Sequence, residues 1–258
     1  MAQLTIAGDE VELARLAADR LTQIIEDAVA ERGAALVSLS GGTTPRRLYA
    51  NLADPNQPWR DRIPWRDVHL FWSDERQVPP DHPDSNYGMA KAALIDHVPI
   101  PTEHVHRIHG EMADASDAAA DYERTLRLVA SALAPSSVAS AFRRKNLFDL
   151  MLLGLGEDAH VASIFPGSEL LNVGHPFTGC RIAAVWAPHL NVWRITLTPE
   201  AILDSRAIVV FVAGANKASA VDAALEAPLD VKRYPAQLLR AAGDRVEWFL
   251  DRAAAAGL

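Results

Sequence analysis

The chain has 258 residues, of which 49% are hydrophobic and 22% charged, and a net charge of −8, proportions of a folded protein with a sizeable core. An acidic balance with no basic stripe excludes a nucleic-acid binder, so any anionic ligand has to be held by local positive groups. No apolar run is long enough to cross a bilayer, Met1-Ala2-Gln3-Leu4 lacks the pattern of a secretion signal, and the lone Cys180 forms neither an internal disulfide nor a thiolate cluster; a cytoplasmic protein with no membrane partner is expected.

From Asp9 to Arg32, Leu13, Leu16, Ala17, Leu21, Ile24, Ile25 and Ala28 recur at steps of three and four, the spacing of one helix face, and Gly33 closes the helix. Ala34–Leu39 then runs almost continuously apolar, as a strand buried on both faces does. Further strands are predicted at Val68–Trp72, Phe148–Leu153, Arg181–Trp186, Arg194–Leu197 and Ala207–Val212, with helices at Asp117–Leu133, Thr198–Leu203 and Lys217–Leu225 between them. A helix near Pro235–Ala242 and a strand at Val246–Leu250 complete the order.

This alternation predicts an α/β, three-layer α/β/α Rossmann-like sandwich around a mostly parallel sheet. Asp54–Pro64, rich in proline and tryptophan, and Ala134–Asn146, with its basic run Arg143-Arg144-Lys145, read as surface loops. With no internal repeat and no composition shift, residues 1–258 are expected to form one domain.

Three stretches carry chemistry. Ser40-Gly41-Gly42-Thr43-Thr44-Pro45 joins a buried strand to a helix, where backbone N–H groups attract an anion. Taken alone, it suits equally a tight turn with Thr44 as the helix cap. Neither the dinucleotide fingerprint nor the nucleotide P-loop is present.

Ser73-Asp74-Glu75-Arg76 follows an aromatic-rich strand, at the rim where parallel sheets bind ligands. The polar stretch Asp81–Tyr87 suits a loop folded over such a site. The third stretch, Asp149–Gly167, runs from a buried strand through Gly154 and Gly156 to Asp158 and His160 at the start of a predicted helical turn. A helix N-terminus favours neutral imidazole, the form a general base needs, and Asp158 is near enough to orient it.

Arg194 and Lys217, each at an element end, are candidate cations for a phosphate. His104 and His106 would share one face of a strand, but no third and fourth ligand stands nearby, so they are read as solvated and no metal is expected.

With Ser40–Pro45, Asp74-Glu75-Arg76 and Gly154–Gly167 in this order, the chain closely resembles the 6-phosphogluconolactonase family over nearly its whole length. The resemblance implies a fold shared with glucosamine-6-phosphate deaminase. It also implies hydrolysis of 6-phospho-D-glucono-1,5-lactone in the oxidative pentose phosphate pathway, without a cofactor, by a monomer or small homo-oligomer. Carried over by position, His160 is the catalytic histidine, with Asp158 beside it and Arg76 in the active site. Ser40, Gly41, Gly42, Thr43, Asp74, Arg194 and Lys217 would hold the substrate and its phosphate.

Two positions depart from the family's Asp-Gly-His-Thr: Ala159 stands for glycine and Val161 for threonine. If that glycine uses a positive φ, alanine strains the turn by roughly 1 kcal/mol. The alternatives are an amino-sugar-phosphate deaminase or isomerase and a non-catalytic sugar-phosphate-binding regulator. In the deaminases a glutamate falls five residues after the histidine, where this chain has Phe165, which cannot handle protons. Retention of both Asp158 and His160 speaks against the regulator.

Overall fold

The computed structural model describes residues 3–133, 147–172, 174, 176–188 and 190–258. The predicted loop at 134–146, with its basic run, lies outside these. Six strands form a wholly parallel sheet: β1 (Gln3–Ala7), β2 (Ala35–Leu39), β3 (Val68–Trp72), β5 (Phe148–Leu153), β8 (Ser205–Val212) and β9 (Val246–Asp251), in the order β1-β9-β8-β5-β2-β3. Every residue of β2, β3 and β5 is buried, which accounts for their near-continuous apolar runs.

The first long helix, α1 (Glu10–Arg32), begins where the Asp9 side chain accepts hydrogen bonds from the N–H groups of Val11 and Glu12, and ends at Gly33. Its buried face, Leu13, Ala17, Leu21 and Ile25 among others, packs on β1, β2, β5 and β9 and against α2 (Thr43–Ala53). On the far side of the chain, Thr198 caps α6 (Pro199–Leu203) by accepting from the Ala201 N–H, as a hydroxyl before a first-position proline should.

Several expectations need correction. Arg181–Trp186 and Arg194–Leu197 are not members of the parallel sheet. As β6 (Ile182–Ala187) and β7 (Val192–Leu197) they pair antiparallel in a second, three-stranded sheet. Its third member is β4 (Asp74–Arg76), part of the stretch read as a rim loop. Strand periodicity alone does not distinguish a hairpin from a crossover strand, and three residues are too few to show any period.

The stretch Asp54–Pro64 is not simply surface: it holds α3 (Trp59–Arg62), and Trp59 and the nearby Trp65 are buried. Their indole N–H groups donate to Asp19 and to the Arg60 carbonyl, so Trp59, within the stretch read as a loop, and Trp65 just after it serve as anchors. The helix expected near Pro235–Ala242 is present as a 3₁₀ segment, Pro235–Arg245, broken at Gly243. β1, which pairs with β9 at the sheet edge, went unread because most of it is exposed.

Helix α5 (Ala115–Ala132) packs on β6 and β7 and ties them to the main sheet. The buried Tyr122 hydroxyl accepts from the Trp72 N–H and donates to the Trp72 carbonyl. His106 is not solvated as expected. It stacks on Phe71 and hydrogen-bonds the nearly coplanar His69 ring at 3.0 Å, while His104 stacks on His69. Among the described residues, no group of three or more histidine, cysteine, aspartate or glutamate side chains is placed to hold a metal, and no helix is long and apolar enough to cross a membrane.

Candidate active site

Strands β8, β5, β2 and β3 are neighbours, so the loops leaving their carboxyl ends share one rim. The chain passes outward from β2 to β3 and then returns to β5 on the other side of β2, and a crevice opens at such a reversal. The loops after β2 and β5 are joined there by the Gly154 N–H, which donates to Ser40 Oγ at 3.2 Å. The cleft measures about 720 Å³ and is lined by Ser40, Gly41, Gly42, Asp74, Arg76, Asp158, His160, Arg194 and Lys217, among others.

Thr43 is not part of that lining; it is the exposed first residue of α2. Nor is Thr44 a cap: Gly42, at φ 106°, holds the cap position and no side chain caps this helix. The first-turn N–H groups therefore face outward without a side-chain acceptor, the arrangement that receives an anion. Tyr49 fixes the loop from behind, its buried hydroxyl accepting from the Ser40 N–H and donating to the Ser40 carbonyl. Burial pushes this phenol well above its ordinary range.

His160 follows the glycine turn, but in an irregular loop and not in the helical turn expected. What orients the ring is Asp158. Its Oδ1 lies 2.6 Å from His160 Nδ1 and also accepts from the His160 N–H at 3.2 Å. Burial pushes the Asp158 carboxyl up, but the hydrogen bond and charge of His160 outweigh it, and the group stays below the ordinary carboxylate range. An ionised carboxylate can only accept, so Nδ1 carries a proton, and in the neutral imidazole the lone pair is then on Nε2.

Ala159 has φ 62° and Ala162 φ 49°, both in the left-handed region. The strain foreseen for alanine at the glycine position is therefore present, next to the histidine. Val161 is fully buried, in a place where a methyl group replaces a hydroxyl without leaving a polar atom unpaired.

The opposite wall comes from the small sheet. Arg76 on β4 and Arg194 on β7 are register partners. Arg194 is 8% exposed, and its Nε and Nη1, like Nε of Arg76, have no hydrogen-bond partner. Burial, then the charge of Arg76, lower the Arg194 pKa, against the opposing pull of Asp74, Glu75 and Asp84. One nitrogen of Arg76 donates to the Asp84 carbonyl.

Asp74 lines the cleft, yet both its carboxylate oxygens are engaged, by Asn86 Nδ2 at 3.2 Å and by Ser163 Oγ at 2.6 Å. It braces the site from below. Glu75 is the residue sequence reasoning overlooked: 2% exposed, it accepts from the N–H groups of Arg76, Asn86 and Tyr87 and from Ser85 Oγ. It thereby clamps the start of α4 (Asn86–Ala93) onto β4. Burial raises its pKa, while the donors counteract the shift.

Asn86 and Ser163 also line the cleft and went unnoticed, because nothing in a lone amide or hydroxyl marks a contact across 12 or 89 residues. The close approach of Asn86 explains one glycine: a Cβ on Gly41 would stand 1.8 Å from Asn86 Oδ1.

A parallel sheet whose strand ends converge on an acid-oriented histidine, faced by two guanidiniums that each keep unbonded nitrogens, defines an α/β protein suited to holding a small anion and equipped for proton transfer. The chain belongs to the family of glucosamine-6-phosphate isomerases and 6-phosphogluconolactonase, whose model matches residues 8–248.

It is 38% identical over 238 residues to a 6-phosphogluconolactonase of Synechocystis sp., covering 92% of this chain and 90% of that protein. It is 35% identical over 253 residues to one from Nostoc sp., covering 98% and 97%. The solved structure of 6-phosphogluconolactonase from Trypanosoma brucei superposes with a TM-score of 0.80 at 29% identity, covering 100% of this chain and 99% of that one.

Proposed function

We propose that this chain hydrolyses 6-phospho-D-glucono-1,5-lactone to 6-phospho-D-gluconate, the lactonase step of the oxidative pentose phosphate pathway. The observation that carries the reading is the His160–Asp158 pair, opening onto the same cleft as Arg76 and Arg194. The named relatives support it.

In this reading, His160 Nε2 takes a proton from water as its oxygen attacks the lactone carbonyl carbon, and Asp158 stabilises the imidazolium that forms. General-base assistance of this kind contributes about 10²- to 10⁴-fold. The tetrahedral intermediate then collapses with cleavage of the bond from the carbonyl carbon to the ring oxygen. The imidazolium returns its proton to that oxygen, and the carboxylic acid ionises in solution. The reaction consumes only water.

The phosphate, remote from the breaking bond, supplies the binding energy that fixes the ring against His160. We assign it to the α2 N-terminus at Gly41 and Gly42, with Arg194 and Lys217. Arg76, which the resemblance places in the active site, stands beside Arg194, and we place it with the phosphate as the second guanidinium. Phe165 leaves the deaminase alternative without its proton-handling group.

The test generates the lactone in place with glucose-6-phosphate dehydrogenase and follows its disappearance. The chain should accelerate hydrolysis well beyond the spontaneous rate, and His160→Ala should remove about 10²- to 10⁴-fold of that acceleration. No acceleration by the wild-type chain, or an unimpaired His160→Ala, overturns the reading.

A further inference from the structure

The His160 ring is confined by more than its hydrogen bond to Asp158. A Cβ built on Gly156 would stand 2.0 Å from His160 Nδ1, 2.2 Å from Cε1 and 2.7 Å from Asp158 Oδ1, distances at which real atoms overlap. The bare α-carbon of Gly156 therefore packs directly against the edge of the ring that carries the acid. The ring of Phe165, 9% exposed and part of the cleft wall, lies with its centroid 4.6 Å from the His160 centroid, tilted by 49°. The main chain closes the same turn: the Gly156 N–H donates to the His160 carbonyl, and the Ala159 N–H to the Gly156 carbonyl.

We infer that Gly156 is a positioning residue for the His160–Asp158 pair, and that it forms with Phe165 a slot holding the imidazole with Nδ1 on the carboxylate and Nε2 toward the cleft. The inference rests on the reading of His160 as general base. Gly156 does not owe its identity to backbone freedom, because its φ is outside the left-handed region and alanine can adopt its conformation. The constraint is the space taken by the ring. A methyl group there forces the imidazole out of its slot and off the acid, while Arg76, Arg194 and the α2 N-terminus are left in place.

The experiment compares wild type, Gly156→Ala, Phe165→Leu and His160→Ala. It measures kcat and KM for the phosphorylated lactone and records long-range proton–nitrogen NMR correlations of the His160 ring. Displacing a catalytic group by about 1 Å costs on the order of 10²-fold. Gly156→Ala is therefore expected to lose about that factor in kcat with KM little changed, and its ring signals should depart from the single Nδ1–H tautomer expected of wild type.

Wild-type kcat together with wild-type ring signals in Gly156→Ala overturns the inference. Should that variant fail to fold, Phe165→Leu decides, since it opens the slot without inserting an atom: a fall in kcat at constant KM supports the slot, and unchanged kcat and ring signals refute it. If His160→Ala keeps full activity, the general-base reading falls. The ring signals of Gly156→Ala then decide by themselves, shifted ones supporting the slot and unmoved ones overturning it.

Discussion

Arg76 and Arg194 stand directly opposite each other across two paired strands, a like-charge pair in a partly dehydrated wall with guanidinium nitrogens left unbonded. Opposed like charges destabilise a strand pair, so this pair carries an electrostatic cost that a bound dianion would relieve. Arg194→Met should therefore stabilise the ligand-free protein by about 1 kcal/mol, while KM for the phosphorylated lactone rises steeply. Inorganic phosphate should raise the melting temperature of wild type and leave that of Arg194→Met almost unmoved. Thermal unfolding with and without phosphate checks both statements.

Asp158→Asn keeps the size of the side chain but offers an amide N–H to the histidine as readily as a carbonyl. The proton can then move to Nε2, the nitrogen that has to accept one from water. The expected loss is roughly 10²-fold in kcat, within the span of general-base catalysis, with KM nearly constant. Steady-state kinetics on the purified variant read this directly, and a loss confined to KM would contradict the assignment.

Ala159 holds a positive φ of 62° while 1% exposed. Removing the Cβ relieves the contact that disfavours this region for L-residues, so Ala159→Gly should gain about 1 kcal/mol in denaturant unfolding. Its kcat should change little, since the backbone already has the geometry glycine prefers.

Acid sensitivity has a source apart from the cleft. Burial, followed by the charges of neighbouring histidines, lowers His69 from 6.5 to about 4, and burial with His104 does the same to His106. Between these values the unfolded chain binds protons that the folded one refuses, and stability rises with pH wherever that holds. The contribution of these two histidines should thus be full above about pH 6.5 and be lost as pH drops toward 4. Urea midpoints across that range check the slope, which the double variant His69→Gln/His106→Gln should flatten.

The parallel core was legible because strands buried on both faces must be apolar throughout: Val68–Trp72 and Phe148–Leu153 are found with the expected bounds. Helix α1 was legible through its 3.6-residue period and its Asp9 and Gly33 ends. The residues after β2 and β5 could be picked out because glycines followed by polar groups at strand ends are rare in a core. The small sheet was not legible, since β4 is three residues long and its partner β7 lies more than a hundred residues away. For the same reason Glu75, Asn86 and Ser163 stayed hidden: their importance lies in who meets them, and a linear reading of residue types contains no such distances.

Ser163, on the loop that carries His160, donates its hydroxyl to Asp74 on the strand of Arg76 and its N–H to Oγ1 of Thr196 on the strand of Arg194. Through Ser163 the loop that carries His160 is thus bonded to both of the strands that carry the paired arginines. On such a plan the guanidiniums at 76 and 194 can be exchanged, altering what the cleft holds, without recasting the turn that carries His160, so long as both bonds of Ser163 are kept.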